Sequence, residues 1–522
     1  MIEKINTNSI NKKISTPSKN PQFGGLGDAI LRGIQVCETN PMVNVAVLDL
    51  STDIIPRTAR ETKTNIFAGF EAFRRESSGL IVNCLLPSFI VLGIAKLFEK
   101  VTMGNKTKMG SCWANEETIN TVAHYWENAK GEGTSKVEDT IKTLLKDIHG
   151  KDGEVLKSFN DDSLVEKSVK LLAQAVNEKN PKAVKKLIKE AFGHITNQTH
   201  ISENIKIGSK DGKYFSQNLS SVMRDIPKVL QELIENPQAK DLSWFKNSAR
   251  RLVNTKSVLG LSIIIPLAIS MQPLNRWITS KISGKKGAPI YKDFKEAEHK
   301  ELTAEEKMKL FSGKIASVGA MIGVALLAML KKPSLQMFQF SGLFPTMNQA
   351  RLISASTFSS RIASSENEDE LKESTVRDIG TFSGLYFLGD YASKITATII
   401  EKTKGIKLLN YLSDKPDKSQ GLIKKFLHWA KDTKLKSSHE VLEGAKNYRA
   451  ICQLSNIGFS LLLLGIFIPF YTRGKTDKKH REDLKKAGVD NATIKKYYPN
   501  FMMNSANKVS SKKIYKAFFT SN

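Results

Sequence analysis

Apolar residues in this chain gather into five long runs set in polar sequence, at 79–98, 257–277, 315–330, 379–400 and 450–471. A bilayer core about 30 Å thick takes about 20 helical residues at about 1.5 Å each, and four of the runs reach that length. The run at 315–330 is shorter, but Lys314 and Lys331–Lys332 bracket it, and lysine stems at such ends snorkel to the interface. A helix buried in a soluble core keeps a polar stripe, whereas 261–271 and 458–470 are apolar nearly all the way round. Trp277 and Tyr471 stand at run ends, where interfacial aromatic belts are expected. The pattern predicts a mainly α polytopic membrane protein with four or five hydrophobic helices. The count depends on 379–400, which contains Asp390 and Lys394.

The 99–256 region is different. Residues 102–250 carry 23 basic and 20 acidic side chains, and their apolar positions recur at helical spacing. Val137, Ile141, Leu144, Leu145 and Ile148 form one such face, and Val184, Leu187, Ile188, Ala191 and Phe192 form another. Asn180 and Pro181 open the second as cap and first turn. Further helices are predicted at 163–178 and at 220–235, the latter interrupted by Pro227, and the IKIGSKDGKYF stretch at 205–215 reads as a turn or hairpin. This region is expected to be a soluble α-helical domain inserted after the first hydrophobic helix.

The remaining segments divide into a disordered arm at 1–22, an N-terminal region at 23–78, a basic loop at 278–314, a connecting region at 331–378, a basic helical loop at 401–449 and a basic tail at 472–522. The arm has no apolar core, so no secretory signal peptide is expected. At 43–55 VNVAVLDLSTDII fits a strand or a helix, and Pro56 is expected to end it. Pro87, Pro266 and Pro469 fall inside apolar runs and predict kinks.

Charge changes the picture in one respect. The 522 residues include 79 basic and 52 acidic side chains, a net of +27, and 40% are hydrophobic. That average excludes a chain made almost wholly of membrane helices but allows a few spans. Residues 401–449 carry 12 basic and 6 acidic side chains, and 473–522 carry 13 and 4. Both stretches abut apolar runs, so the expected partners are the lipid bilayer and its anionic headgroups. No nucleic-acid-binding motif accompanies the high charge, and nucleic acid is not an expected partner. With five spans the positive-inside comparison is balanced; with four, it tilts slightly toward cytoplasmic termini. Abundant Lys and Asn fit an AT-rich genome, and with it the inner membrane of a prokaryotic cell.

Candidate chemistry is sparse. Asp390 and Lys394 are four apart, the spacing of an acid–base pair on one helix face, and form a candidate intramembrane polar pair. Gly319 and Gly323, and Gly380 and Gly384, are G-x-x-x-G pairs that let helix backbones approach in lipid, and are candidate packing positions. Asp49 and Asp53 can share a helix face, but an isolated pair of this kind reads as solvated surface. Gly25–Asp28 spells the GxGD of intramembrane aspartyl proteases, but it lies in polar sequence without a convincing second aspartate. Gly474–Thr476 resembles the end of a P-loop whose first glycine is replaced by Pro469. Eight scattered histidines make no metal-binding spacing, no serine sits in a G-x-S-x-G elbow, and Cys37, Cys84, Cys112 and Cys452 form no close pair. No catalytic residue, metal or cofactor is expected. The leading expectation is a non-enzymatic membrane scaffold or interaction protein. A transport or channel subunit using Asp390 and Lys394 is second, and a soluble helical effector or lipid-surface binder is third.

Overall fold

The computed structural model describes residues 41–62, 66–101, 112–149, 162–199, 205–207, 215–217, 219–283, 302–329, 335–340, 344–411, 421–437 and 440–471, with single positions elsewhere. The expected arm at 1–22, the GxGD stretch and most of the basic tail lie outside the described residues. The fold is mainly α.

Four helices of the inserted domain follow the predicted periodicity; the helix at 116–128 is an addition, and Pro227, expected to interrupt the helix at 220–235, lies inside a continuous one. Helices α5 (Glu116–Asn128), α6 (Gly133–Lys146), α7 (Asp162–Asn177), α8 (Pro181–Thr199) and α9 (Leu219–Glu235) surround one apolar core. Asn115 caps α5 by accepting from the Thr118 N–H at 2.8 Å, and Asn180 caps α8 through the Lys182 N–H at 3.0 Å. The Gly-rich stretch is a hairpin: β2 (Ile205–Ile207) pairs antiparallel with β3 (Phe215–Gln217), and β1 (Ile148–His149) joins the other edge of β2. Ile141, Leu144, Leu145, Leu172, Ile195 and Phe245 are fully buried, while most charged side chains of these helices face outward, with Asp225 and Glu232 of α9 buried.

The rest is a bundle of long helices. α1 (Pro41–Asp49) runs through a π-helical stretch, Leu50–Ile54, into α2 (Ile55–Thr62). α3 (Ile66–Leu80) likewise continues through Ile81–Leu85 into α4 (Leu86–Val101). Beyond the domain come α10 (Leu242–Ser283), α11 (Ala304–Met329) and α12 (Met347–Ala363). α13 (Glu368–Ser383) passes through Gly384–Leu388 into α14 (Gly389–Lys404), and α16 (Lys446–Ser460) runs on through Leu461–Phe467. Between these last two lie a small ribbon, β4 (Leu409–Tyr411) with β5 (Thr433–Leu435), and the short helix α15 (Leu422–Asp432). The border expected at 256/257 falls inside α10, so domain and bundle share one continuous helix. Lys256 secures the junction: its amine is buried and donates to the carbonyls of Cys112 at 2.7 Å and Met109 at 3.3 Å.

Proline does not end these helices. Pro56, Pro87 and Pro469 each lie two residues beyond a π-helical stretch. A proline ring collides with the carbonyl four residues back and offers no N–H to it. The π turn moves the bonding back by one residue, as where Ile55 N–H reaches Leu50 O and Leu86 N–H reaches Ile81 O. The expectation that Pro56 terminates 43–55 is therefore corrected, and the ambiguous stretch is helix.

Contacts fix the helix directions. Arg361 meets Asp378 and Phe358 meets Phe382, so α12 and α13 are antiparallel; Ser393 meets Cys452 and Gly384 meets Leu464, so α14 and α16 are antiparallel. Arg74 meets Asn275 while Gly260 approaches Ile94, which sets α3–α4 against α10. Four helices are long and apolar enough to cross a membrane: Gly69–Phe98, Leu242–Ile282, Ala304–Met329 and Lys446–Tyr471. α13–α14, which holds the run at 379–400, is not among them. Only 39%, 39%, 17% and 33% of their apolar windows is buried inside the protein. Phe89, Ile263, Leu327 and Phe467 face outward, while Gln349, Asp378, Asn456 and Ser460 are buried.

Candidate functional site: a buried charge network

The bundle has an apolar core that includes Leu48, Phe358, Ile362, Phe382 and Leu464, and its middle helices carry polar side chains into that core. α12 reads MNQARLISASTFSSRIA, opened by a capping box in which Thr346 and Gln349 bond each other's N–H groups at 3.3 and 2.8 Å. At 3.6 residues per turn Arg361, Thr357, Ser354 and Arg351 point to neighbouring helices. Each finds a partner. Thr357 donates to Asn83 Oδ1 at 2.8 Å, Ser354 bonds the Tyr386 hydroxyl, and Arg351 donates to the Tyr386 carbonyl at 2.9 Å.

At the end of the bundle away from the helical domain, these contacts give way to charges. Glu76 of α3 pairs with Arg57 of α2 and, at 3.4 Å, with Arg361 of α12. Arg361 also meets Asp378 Oδ1 at 3.2 Å, the oxygen that Arg377 reaches at the same distance. Asp378 is fully buried, and its other carboxylate oxygen has no hydrogen-bond partner among the described residues. A second layer beside it ties α3 to α10: Arg74 donates to Asn275 at 2.9 Å and Thr279 at 2.7 Å, and Thr279 donates to Glu71 at 2.8 Å. Arg276 closes the same end onto Glu366 and Glu370.

Asp49 and Asp53 belong to this network, not to a solvated face. Both are half-buried on the α1 side, outside the four long apolar helices. Burial first, then the carboxylates of Asp53 and Glu76, hold Asp49 well above the usual carboxylate range, with Arg361 acting the other way. Asp53 is raised by burial and by Glu76, against Arg57, Arg361 and Arg377. Four acids thus face arginines on α2, α12 and α13, an arrangement suited to holding protons and fixed charge.

Asp390 and Lys394 lie farther along α14. They share a helix, but no ion pair forms between them: Lys394 donates to the Ala430 carbonyl at 3.0 Å and lies over the Tyr391 ring. Asp390 is exposed and feels Arg351 and Arg449 as well as Lys394. Asp378 and Asp390 are 12 positions apart, about 18 Å at about 1.5 Å per residue, with Tyr386 between them. Gly380 and Gly384 sit where a Cβ would strike Ile468 and Leu464, so they pack α13 closely against the far end of α16. Gly319 and Gly323 have no neighbour within 4 Å of a Cβ, and Gly319 lies on the outward side of α11. Cys84 and Cys452 are buried as small hydrophobes.

Sequence reasoning missed Glu76, Arg361 and Asp378. The available signal was the spacing of Arg361, Ser354 and Arg351 against Asp378, Tyr386 and Asp390, two polar stripes on neighbouring helices. Among the described residues no three His, Cys, Asp or Glu side chains are placed to hold a metal ion. Comparison of the chain with protein-family models, curated proteins and solved structures finds no match.

Proposed function

We propose that the chain is an integral membrane protein whose bundle holds the helical domain at the bilayer surface as a non-enzymatic scaffold. One observation carries this reading: the four long helices leave most of their apolar windows uncovered, with Phe89, Ile263, Leu327 and Phe467 outward, while Gln272, Asn275, Asn456 and Ser460 on the same helices are buried. In water that arrangement exposes apolar surface at about 25 cal/mol per Å²; in hydrocarbon the same surface is solvated and only the polar interior must be self-satisfied. Alternating helix directions support residues before Gly69 and after Tyr471 on one side, with the helical domain on the other. The weak tilt of Lys and Arg makes the side of the termini the cytoplasmic one. Alkaline carbonate washing tests the reading: the protein stays in the membrane pellet and needs detergent to become monodisperse. A monodisperse preparation in plain buffer overturns it.

A second reading is favoured by a specific feature, the unpartnered buried oxygen of Asp378 at the head of a polar seam leading past Tyr386 to Asp390. A seam of this kind suits a transport subunit that moves protons. In vesicles loaded with a pH-sensitive dye, Asp378→Asn and Asp390→Asn abolish proton flux while insertion is intact. Unchanged flux in both variants removes the transport reading and leaves the scaffold.

A further inference from the structure

At 100° per residue, α15 (LIKKFLHWAKD) places Phe426, Leu427, Trp429 and Ala430 on one arc and Lys424 and Lys425 on the other. Ala430 on this arc is buried, and its carbonyl accepts the Lys394 amine. One turn earlier on the same arc, Phe426 is 50% exposed, and Leu427 at the arc's edge is 58% exposed. An aromatic row crosses from α14 onto this helix, with Tyr391 and Phe426 6.2 Å apart and Phe426 and Trp429 5.7 Å apart. The β4–β5 ribbon fastens the C-terminal end of α15, so the helix is held with its apolar edge outward.

Position and charge identify what covers that edge. Lys394 lies at the level of Cys452 and Ser455 on α16, in the first turns of an apolar helix. Lysine, tyrosine and tryptophan belong at that depth when a helix enters a bilayer. Lys402, Lys404, Lys407, Lys424 and Lys434 are exposed around the ribbon and α15, in a stretch with 12 basic and 6 acidic side chains. We propose that α15 is an in-plane anchor lying in the headgroup layer of an anionic leaflet, Phe426, Leu427 and Trp429 entering the acyl boundary and the lysines meeting phosphate. The proposal rests on the membrane reading above and adds to it a surface and a lipid class.

The test uses the full chain reconstituted in bilayers with brominated acyl chains, reading Trp429 as the difference between the parent and Trp429→Phe. Bromines near the headgroups quench Trp429 more strongly than bromines near the chain ends. The quenching is stronger with phosphatidylglycerol than with phosphatidylcholine alone, and weakens with added salt or in the Lys424→Glu/Lys434→Glu variant. Unquenched Trp429 emission overturns the anchor. Quenching that is indifferent to phosphatidylglycerol, salt and charge reversal overturns the anionic leaflet as partner. Carbonate washing of the same vesicles separates the two claims: a protein that is retained but unquenched loses only the anchor, whereas a protein that is released loses the membrane reading.

Discussion

The helical domain and the bundle use similar helices and differ in how much polar surface they bury. In the domain, Ile141, Leu144, Leu145 and Leu172 are fully buried and most charged positions face out, Asp225 and Glu232 excepted. In the bundle, Gln349, Asp378 and Ser460 are fully buried beside Leu48, Ile362 and Phe382, while Phe89, Trp277, Leu327 and Phe467 are exposed. On the membrane reading proposed above, each interior is the complement of a different solvent. Water drives the domain's apolar side chains together. No such force acts between helices surrounded by hydrocarbon, where packing and buried hydrogen bonds hold the helices together instead. Gly380 and Gly384 against Leu464 and Ile468, and Ser393 against the Cys452 carbonyl at 2.8 Å, are contacts of that second kind.

The comparison is most severely tested at Arg361. Its guanidinium joins Glu76 and Asp378, both buried. Removing one partner of a buried pair costs about 3–5 kcal/mol when it leaves the other charge uncompensated; Arg57 still faces Glu76 and Arg377 still faces Asp378, so part of that loss is expected. Arg361→Leu is expected to lower the unfolding midpoint of the detergent-solubilised bundle sharply, while the domain keeps its own transition. A midpoint unchanged in Arg361→Leu would show that the network carries little of the bundle's stability. Next in size is a pair of leucines in opposite surroundings. Leu144→Ala in the domain core opens a cavity and costs about 2–5 kcal/mol. Leu327→Ala, at a position 74% exposed on α11, is expected to leave stability in detergent nearly unchanged. Equal losses at the two sites would mean that Leu327 faces protein.

Much of this division was legible from residue spacing. Four helices of the domain, the turn or hairpin at 205–215 and the four long apolar helices follow from period, caps and run length, whereas the domain helix Glu116–Asn128 does not. The prolines misled because a local rule, that the missing N–H ends a helix, was overridden by π turns at Leu50–Ile54 and Leu461–Phe467. The charge network was hidden for a different reason. Glu76, Arg361 and Asp378 are far apart in sequence, and each alone reads as an ordinary charged residue flanking an apolar run. Only the antiparallel packing of α12 on α13 and α3 brings them together. Asp390 and Lys394 had the spacing of a pair, but spacing could not foresee that the Ala430 carbonyl would take the lysine.

A smaller effect separates the interiors by pH. Asp49 is held well above the usual carboxylate range by burial and by Asp53 and Glu76. Its folded form binds a proton more tightly than its unfolded form. Its contribution to stability is therefore complete below the unfolded value and is lost as pH rises through the folded one. The bundle is expected to weaken above the ordinary carboxylate range, and Asp49→Asn to remove that decline, in thermal melts taken from pH 4 to pH 8. A parallel decline in the parent and in Asp49→Asn would place the pH sensitivity elsewhere.

The smallest expected effect is the one that isolates burial from pairing. The domain has its own cross-helix ion pair, Lys142 with Glu166 at 3.8 Å, exposed to 40% and 55%. Arg361 and Glu76 meet at a comparable 3.4 Å, but at 11% and 8% exposure. Distance alone would rank the two pairs alike. Water and counterions screen the first pair, so Lys142→Gln should cost about 0–1 kcal/mol. The same neutralisation in the bundle leaves Glu76 to Arg57 alone and Asp378 to Arg377 alone, with little solvent to replace the lost cation. Measured side by side, the ratio of the two losses reports how dry the bundle interior is. A loss at Lys142 as large as that at Arg361 would mean that both regions present their charges to similar surroundings, and the contrast between the two interiors would fail at its physical root.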